Sequence, residues 1–383
     1  MEAVIENICY YMDKILFLIP NLRHGGAEKV LVNLVNNLDQ SKYEITLYSI
    51  FDGGFNKEFL NKNINYQFKF KKIFRGNSQL MKLFPPKVLY NFFIKKEYDI
   101  LVSYLEGPTA RIISGCDRIK TKKIAWIHIE LNDRKTASVG FRDWNEALEG
   151  YLKYDRIIGV SENVIDYFRK NITDKVPTTV LYNTNETEAI RKLSQEPINI
   201  TFDRKEINVC SVAKIMKTKG FDRLIEVHKK LIDEGFRHYI NILGIGEEQK
   251  KLESRVKELG VQDTFTFLGL HKNPYNLMVK NDLYICSSRR EGFSTAVTEA
   301  LILGMPVVST EVSGAKELLG QYNEYGIVTE NSAAGIYEGL KSLLSDHSLL
   351  AHYKRQAELR GQQFSKEKTV EAVEQLLDSL LNE

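Results

Sequence analysis

The sequence predicts an α/β protein with two Rossmann-like, doubly wound domains that face each other across a cleft. Short apolar runs alternate with segments of helical period, and this alternation starts twice, at residues 14–20 and again at residues 207–213. Strands that alternate with helices are typical of parallel sheets built from βαβ units. The length agrees, because 383 residues suit two domains of roughly 150 to 200 residues better than one.

The predicted elements follow one order in each series: an apolar strand, a turn that contains glycine, and a helical segment. In the first series, residues 14–20 lead into Gly25 and Gly26 and then into a helical pattern at residues 27–38. In the second series, residues 283–287 lead into a helix at residues 295–303. The predicted strands lie at residues 14–20, 44–50, 99–104, 123–127, 156–160, 207–213, 239–243, 264–268, 283–287 and 306–309.

The junction between the two series is predicted at residues 183–197, which are polar, end in a proline and have little apolar periodicity. We therefore expect an N-terminal domain at residues 1–185 and a C-terminal domain at residues 186–365. The last segment, residues 366–383, has the pattern of an amphipathic helix. Periodicity alone leaves open whether this helix packs back on the first domain.

Composition narrows the class of protein. The chain is 43% hydrophobic and 27% charged, which is typical of a globular fold. Its four cysteines are scattered, so we expect no disulfide framework and no zinc site, in keeping with a reducing cytoplasm. No apolar run reaches the roughly 18 residues that span a bilayer, and no secretory signal is visible. The net charge of +3 does not indicate a nucleic-acid partner, and we expect none. The scattered cysteines lead us to expect a cytoplasmic protein.

Residues 283–304 carry the strongest chemical signal. Glu291 lies in the turn after a predicted strand, and Glu299 lies one turn into the next helix. Ser294 is the predicted N-cap, and the free amides at a helix start suit a diphosphate. A carboxylate accepts two hydrogen bonds and therefore suits the neighbouring hydroxyls of a sugar. Taken alone, such a pair is more often a solvated helix residue and a partner of the helix dipole, so its surroundings must decide.

Glu291 lies within Arg290-Glu291-Gly292-Phe293-Ser294, and Glu299 is followed by the largely apolar residues 300–308. With these neighbours, the segment resembles family four of the retaining glycosyltransferases, which have the GT-B fold. The resemblance implies a nucleotide-sugar donor bound mainly by the second domain, an acceptor-side first domain, and transfer with retained anomeric configuration. We expect a UDP-sugar as donor and a glycan or a lipid-linked molecule as acceptor. The matching motifs occur in order along the chain as Gly25-Gly26-Ala27-Glu28-Lys29, Trp126-Ile127-His128, Val212-Ala213-Lys214, Lys219-Gly220 and the Glu291/Glu299 pair.

The resemblance also implies roles for single residues. Glu291 meets the hydroxyls of the donor sugar, Glu299 meets those of the ribose, and Lys219 meets the phosphates. Where the family usually has arginine this chain has Lys214, which keeps the charge without the planar fork. The implied catalytic residues are His128, Lys219 and Glu291. The implied donor-binding residues are Gly25, Gly26, Lys214, Lys219, Gly244, Leu270, Glu291, Gly292, Phe293, Ser294, Thr295 and Glu299.

Read without the family, the same residues have plainer explanations. Lysines on a loop are most often solvated, a lone histidine after a buried strand is more often structural, and Gly25-Gly26 is an ordinary tight turn. The order of several motifs along one chain favours the functional interpretation over these.

The chain contains no Asp-x-Asp motif, which many transferases use to hold a metal at the departing diphosphate. We therefore expect no metal and no other cofactor. Lys214, Lys219 and the helix amides take over the neutralisation of charge in this hypothesis. No carboxylate stands out as a nucleophile, so we hypothesise front-face attack with the leaving phosphate as base.

The stretch that begins at Phe68 and ends at Lys96 contains eight basic and no acidic residues, interleaved with aromatic residues. Such segments can seat on an anionic membrane surface. A solvated basic face with its aromatic residues in the core is an equally good interpretation. The membrane interpretation predicts a peripheral protein at the inner face of the plasma membrane and a lipid-linked acceptor, as in the assembly of bacterial surface polysaccharides.

Other functions stay open at this point. A nucleotide-sugar epimerase or a phosphorylase shares the two-domain fold, although the chain is short for a phosphorylase. A catalytically silent partner subunit of a glycosyltransferase complex would keep the same pocket. The complete set of His128, Lys219, Glu291 and Glu299 favours an active transferase.

Overall fold

The structure, a computed structural model, describes residues 12–23, 25–200 and 205–383. Cys9 and the residues on which the expectation of no secretory signal rests lie outside these ranges. Two parallel sheets of seven and six strands, with helices between the strands, confirm the predicted α/β class. We call the part around the seven-stranded sheet the N-terminal domain and the part around the six-stranded sheet the C-terminal domain.

The strands are β1 (Asp13–Ile19), β2 (Tyr43–Phe51), β3 (Asn65–Phe70), β4 (Ile100–Ser103), β5 (Lys122–Ile127), β6 (Arg156–Gly159), β7 (Thr178–Val180), β8 (Ile207–Val212), β9 (His238–Leu243), β10 (Phe265–Gly269), β11 (Leu283–Cys286), β12 (Val307–Thr310) and β13 (Ile327–Thr329). The helices are α1 (Gly26–Asn37), α2 (Asn77–Lys82), α3 (Pro86–Phe93), α4 (Pro108–Ile113), α5 (Arg134–Ala137), α6 (Trp144–Tyr151), α7 (Glu162–Asn171), α8 (Thr187–Ser194), α9 (Phe221–Asp233), α10 (Gln249–Glu258), α11 (Tyr275–Met278), α12 (Thr295–Ile302), α13 (Ala315–Leu319), α14 (Ala333–Ser345), α15 (His347–Gln363) and α16 (Lys366–Leu381).

The two sheets share one order over six strands, and the N-terminal sheet has a seventh strand at its edge. The order is β3-β2-β1-β4-β5-β6-β7 in the N-terminal domain and β10-β9-β8-β11-β12-β13 in the C-terminal domain. Each order reverses beside the first strand, between β1 and β4 and between β8 and β11. Ligands of doubly wound folds bind outside the carboxyl ends of the strands at this point. The topology therefore directs attention to the loops that follow these four strands.

The central strands are apolar because both of their faces are covered. In β1, the residues from Ile15 to Ile19 are at most 1% exposed, and in β8 Val209 and Cys210 are fully buried. A strand covered on both faces reads as a continuous apolar run, which explains why the sequence pattern predicts it well.

The sequence prediction omits three strands, and each lies at an edge of its sheet. These are β3 and β7 in the N-terminal sheet and β13 in the C-terminal sheet. The residues of β7 and β13 are only partly buried, and β3 contains only exposed and partly buried positions. An edge strand has a neighbour on one side only, so it does not require the long apolar run that marks a central strand.

The predicted junction at residues 183–197 contains a helix that the sequence prediction does not include. Helix α8 buries Ile190, and its Arg191 donates a hydrogen bond to the carbonyl of Gly361 at 3.0 Å. Eight residues are two turns, too few for apolar periodicity to stand out from the sequence. The residue limits of the two domains stay a prediction.

Helix α16 contacts the N-terminal domain. The main-chain N–H of Asp39 donates to Glu374 at 2.7 Å, and the hydroxyl of Tyr43 donates to Asp378. Beyond the helix, Arg156 forms an ion pair with Glu383 at 3.3 Å. Across the described ranges, no helix is both long and apolar enough to pass through a membrane.

Candidate functional site

A cavity of about 730 Å³ lies in the cleft between the two domains. The loops after β1 and β5 line it from the N-terminal side, and the loops after β8, β9, β10 and β11 line it from the C-terminal side. Its volume falls within the usual range for small-molecule sites. All predicted site residues line this one cavity, namely Gly25, Gly26, His128, Lys214, Lys219, Gly244, Leu270, Glu291, Gly292, Phe293, Ser294, Thr295 and Glu299. What each of them does stays a prediction.

The amino-terminal end of helix α12 opens into the cavity. The predicted cap is confirmed, because the hydroxyl of Ser294 accepts a hydrogen bond from the N–H of Val297 at 3.3 Å. The N–H groups of a first turn have no acceptor within the helix, and the helix dipole gives this end a partial positive charge. Thr295 and Ala296, in that first turn, both line the cavity. The end of α12 is therefore built to receive an anion.

Lys219 and Glu291 form an ion pair beside this helix end. The Nζ of Lys219 donates to Oε1 of Glu291 at 2.6 Å, and the hydroxyl of Ser288 donates to the same oxygen at 2.6 Å. Burial lowers the pKa of Lys219, but the adjacent carboxylate raises it more, so the net direction is upward. The amine therefore stays charged. A lysine ammonium has three N–H donors, and among the described residues one of them has a hydrogen-bond acceptor.

His128 follows β5 and is buried at the opposite wall of the cavity. Its main-chain N–H donates to Oε2 of Glu106 at 3.0 Å, and its ring lies 4.8 Å from that of Tyr104. Burial lowers the pKa of the imidazole to about 3, so the ring is neutral near pH 7. In the described part of the chain, Nε2 has no hydrogen-bond partner. A buried polar atom without a partner is costly, which is a reason to expect a ligand there.

Two glycines allow the walls of the cleft to approach each other. A Cβ at Gly292 would overlap the carbonyl of His128, so the loop after β11 touches the opposite domain through bare backbone. A Cβ at Gly26 would lie 2.9 Å from Oγ1 of Thr295, closer than real Cβ contacts allow without a shift. A side chain at position 292 would require the backbone at His128 to move away, whereas one at position 26 would require a shift of the Thr295 side chain.

The remaining predicted residues are more peripheral. Lys214 is exposed at the cavity edge, and its charge lowers the pKa of nearby Glu28, which burial raises. The N–H of Gly244 donates to the carbonyl of Gly269 at 2.7 Å and so ties the loop after β9 to β10. Leu270 lies just beyond β10 and is partly exposed.

Sequence reasoning missed three side chains near the site. Lys29 was named only as part of a motif, yet its amine crosses the cleft and pairs with Glu299. Tyr275 donates to Glu299 at 3.1 Å, and no sequence signal marks this short helix. Glu106, which holds the N–H of His128, follows β4 at the carboxyl end of a predicted strand. The rule that such ends line the cleft could have found Glu106.

Comparison with known proteins decides the family. The model of Glycosyltransferase Family 4 matches residues 24–188, and the model of Glycosyl transferases group 1 matches residues 195–360. The chain belongs to glycosyltransferase family four. This membership makes it a glycosyltransferase and supports neither the epimerase nor the phosphorylase alternative.

Curated relatives of this glycosyltransferase match over nearly the whole chain. An N-acetylgalactosamine-N,N'-diacetylbacillosaminyl-diphospho-undecaprenol 4-alpha-N-acetylgalactosaminyltransferase of Campylobacter jejuni is 26% identical over 93% of this chain and 97% of its own. The lipopolysaccharide core biosynthesis glycosyltransferase LpsE of Rhizobium meliloti is 25% identical over 93% of this chain and 97% of its own. Bacterial enzymes of lipid-linked and polysaccharide synthesis are thus among the relatives of this glycosyltransferase.

A solved structure supports the fold. Anabaena Alr3699/HepE in complex with UDP and glucose superimposes with a TM-score of 0.76 at 19% identity, and the match covers 96% of this chain and 100% of that one. At this identity the likeness shows the GT-B fold alone. Among the described residues, no group of three or more His, Cys, Asp or Glu side chains is placed to hold a metal ion. Independence of metal stays a prediction.

Proposed function

We propose that this glycosyltransferase transfers a sugar from a UDP-sugar to a hydroxyl of a glycan or lipid-linked acceptor, with retained anomeric configuration and without a metal ion. The ion pair between Lys219 and Glu291 beside the start of α12 carries this proposal. It sets a charged amine and a carboxylate side by side, the first suited to a diphosphate and the second to sugar hydroxyls. We choose UDP as the nucleotide of the donor because the similar HepE structures were solved with UDP and with UDP-glucose.

Three groups surround the proposed diphosphate position. Within the described residues, Lys219 keeps two N–H donors beyond its bond to Glu291. Lys214 adds a second charge at the cavity edge, and the first-turn amides of α12 add oriented dipoles. Charge of this kind, fixed before the reaction, stabilises a leaving group as its negative charge develops. The pairing with Glu291 keeps the Lys219 amine in one place.

The reaction that we propose breaks the bond between the anomeric carbon and the β-phosphate oxygen. The acceptor oxygen bonds to the same carbon on the same face, and its proton passes to the departing phosphate oxygen. Glu291 binds hydroxyls of the donor sugar in this arrangement and is not a nucleophile. UDP and the glycosylated acceptor are the products.

His128 completes the proposed centre from the N-terminal side. A neutral imidazole can form a hydrogen bond with a sugar hydroxyl through Nε2, which has no partner among the described residues. A protonated ring would place positive charge beside an oxocarbenium-like carbon. The burial that keeps His128 neutral therefore favours the proposed transition state.

An exposed apolar surface on helices α2 and α3 supports a membrane-bound acceptor. Leu83 is 70% exposed, and the aromatic ring of Phe84 beside it is also exposed. We call this region the α2–α3 surface; its exposed apolar side chains are Ile73, Phe74, Leu80, Leu83, Phe84, Val88 and Phe92. Lys71, Lys72 and Arg75 border it, all exposed. Apolar side chains rimmed by positive charge suit an anionic bilayer.

The alternative, with the aromatic residues in the core, holds for only some of them. Tyr90 and Phe93 are buried, whereas Phe68, Phe74, Phe84 and Phe92 are exposed. Contiguous apolar exposure of this kind is typical of an interaction site. We propose that the protein lies peripherally on the inner face of the plasma membrane, where a diphospho-undecaprenol acceptor of the kind in the name of the Campylobacter relative would be within reach.

Two arginines hold the turn between α2 and α3, which carries Leu83 and Phe84, in place. The side chain of Arg111 is only 1% exposed, forms a two-point ion pair with Glu146 at 2.8 and 2.9 Å, and donates to the carbonyls of Met81 and Phe84. Arg142 donates to the carbonyl of Leu83 at 2.9 Å. Guanidinium groups thus satisfy the carbonyls at the end of α2, so Leu83 and Phe84 are presented on a fixed backbone.

The proposed function is tested by UDP release from a panel of UDP-hexoses and UDP-N-acetylhexosamines, with an undecaprenyl-diphosphate-linked sugar as acceptor and EDTA present. We expect turnover by the wild type and losses of about 100-fold or more for Lys219→Met and Glu291→Gln. Lys217→Met is the matched control, because Lys217 is exposed in the same turn and does not line the cavity. Loss of wild-type turnover in EDTA, or full activity of both variants, would contradict the proposal.

A further inference from the structure

Lys29 links the two domains inside the cavity. It lies in the first turn of α1, directly after the Gly25-Gly26 loop, and its amine donates to Oε1 of Glu299 on α12. The side chain of Glu299 is 5% exposed and that of Lys29 is 35% exposed. The two residues belong to different domains, so this contact exists only while the domains are close together.

Tyr275 completes the arrangement from within the C-terminal domain. Its hydroxyl donates to Oε1 of Glu299 at 3.1 Å, and the amine of Lys29 contacts that hydroxyl and lies 4.9 Å from the centre of the tyrosine ring. Both hydrogen bonds to the carboxylate therefore fall on the same oxygen. Within the described ranges, Oε2 of Glu299 accepts no hydrogen bond from the protein.

The number of acceptor positions that remain matches a diol. A carboxylate has about four lone-pair positions, two on each oxygen. Lys29 and Tyr275 occupy those of Oε1, and the two on Oε2 stay free. Two neighbouring hydroxyls, such as those of a ribose, present two donors. The contacts thus turn the carboxylate so that its unoccupied oxygen is the one left for the ligand.

We propose that Lys29 and Tyr275 are positioning residues that fix Glu299 for the ribose of the donor, and that Lys29 thereby makes donor affinity depend on closure of the N-terminal domain. This inference rests on the proposed function and on the role that the family resemblance implies for Glu299, which is contact with the ribose hydroxyls of the donor. The carboxylate of Glu291 is held differently, because Lys219 and Ser288 both belong to its own domain. Of these two carboxylates, it is Glu299 that is held by a residue of the opposite domain.

A purely structural ion pair is the competing explanation, and the chain offers a matched control for it. Lys272 and Glu58 also form an ion pair between the domains, at 2.7 Å, but their side chains are 73% and 58% exposed at the rim. Exposed pairs of this kind contribute little to stability. Glu58→Gln removes this second link, and Glu58 does not line the cavity.

The experiment is calorimetric titration of the full chain with UDP. We expect Lys29→Met to weaken UDP binding about tenfold, Lys29→Arg to stay within about threefold of the wild type, and Glu58→Gln to leave it unchanged. In the Glu299→Gln background, Lys29→Met should have little further effect, because the two residues act as one unit. Tyr275→Phe, which keeps the ring and removes one hydrogen bond, should weaken binding about threefold.

The outcomes separate this inference from the proposed function. If Glu299→Gln binds UDP as tightly as the wild type, the donor-site assignment fails and the inference fails with it. If Glu299→Gln weakens binding while Lys29→Met does not, or while the two losses simply add, only the inference is overturned. Tighter binding by Lys29→Met would also overturn it, since the amine would then be competing with the ligand. Should Lys29→Met fail to fold, Lys29→Arg and Tyr275→Phe decide the question in the same way.

Discussion

The C-terminal domain meets the cleft with side chains that already have partners, whereas the N-terminal domain meets it with a polar atom that has none. Glu291 is held by Lys219 and Ser288, but Nε2 of His128 is buried without a partner in the described structure. A paired charge keeps its position before any ligand arrives, which suits a diphosphate common to many donors. An unpaired buried polar atom gains a hydrogen bond only when a ligand binds, because the protein supplies no partner for it.

The outer surfaces of the two domains differ as well. The N-terminal domain carries the α2–α3 surface, while exposed apolar side chains on the C-terminal domain, such as Leu359, are scattered. Within the proposed function, the difference assigns donor binding to one domain and acceptor and membrane contact to the other. Lys29 is the exception that joins them. Replacing His128, which faces the cavity from the N-terminal domain, should therefore leave UDP affinity nearly intact, and the predictions below test this separation.

Within the N-terminal domain, the largest expected effect concerns His128. His128→Phe keeps an aromatic ring beside Tyr104 and removes both ring nitrogens. We expect turnover to fall about 10- to 100-fold, because a hydrogen bond at the reaction centre is lost, while the Kd for UDP stays within about threefold. Parallel calorimetry and UDP-release assays measure the two quantities. Equal losses in turnover and in UDP affinity would place His128 in the donor site and would contradict the assignment of donor binding to the C-terminal domain.

The next effect concerns the membrane. With Leu83 and Phe84 changed to serine, or with Lys71, Lys72 and Arg75 changed to glutamate, we expect binding to phosphatidylglycerol vesicles to fall about tenfold or more. Leu359→Ser is the control, since Leu359 is similarly exposed on the C-terminal domain. Co-sedimentation with phosphatidylglycerol vesicles and with neutral phosphatidylcholine vesicles measures the change. If the wild type binds anionic and neutral vesicles equally well, the proposed attachment to an anionic membrane is wrong.

The smallest effect concerns a histidine pair in the C-terminal domain, where buried ring nitrogens do have partners. Nδ1 of His228 and Nε2 of His238 share a hydrogen bond at 2.8 Å, and Nε2 of His228 meets the hydroxyl of Thr264 at 2.9 Å. Burial, and then the neighbouring His238, lower the pKa of His228 to about 3. Burial lowers the pKa of His238 also.

These shifts predict a loss of stability on acidification. Below the ordinary histidine pKa of about 6.5 the unfolded chain takes up protons that the folded chain refuses, so the free energy of unfolding falls as the pH falls toward about 3. His228 alone should contribute a loss of about 2 kcal/mol between pH 6.5 and pH 5. Urea unfolding at both pH values should show a smaller loss for His228→Gln than for the wild type. His352→Gln, at an exposed histidine, should lose as much as the wild type.

Much of the fold was predictable because its central strands are covered on both faces. Strands such as β1 and β8 appear in the sequence as unbroken apolar runs, and the structure places them within a residue or so of the prediction. The edge strands β3, β7 and β13 lack such runs and were missed. Helix α8 was missed because its two turns bury only Thr187 and Ile190.

The sequence by itself determined the α/β fold class, the resemblance to the family, the cap of α12 and part of the set of residues that line the cleft. Each of these follows from residue types at fixed spacing within a segment, or from the order of such segments along the chain. Only the tertiary structure decided that Lys29 reaches Glu299, that Glu106 holds the N–H of His128, and that Arg111 donates to the carbonyls of Met81 and Phe84 beside the exposed Leu83. Each of these contacts joins segments far apart in the chain, and no spacing rule specifies which side chains the packing of separate elements brings together.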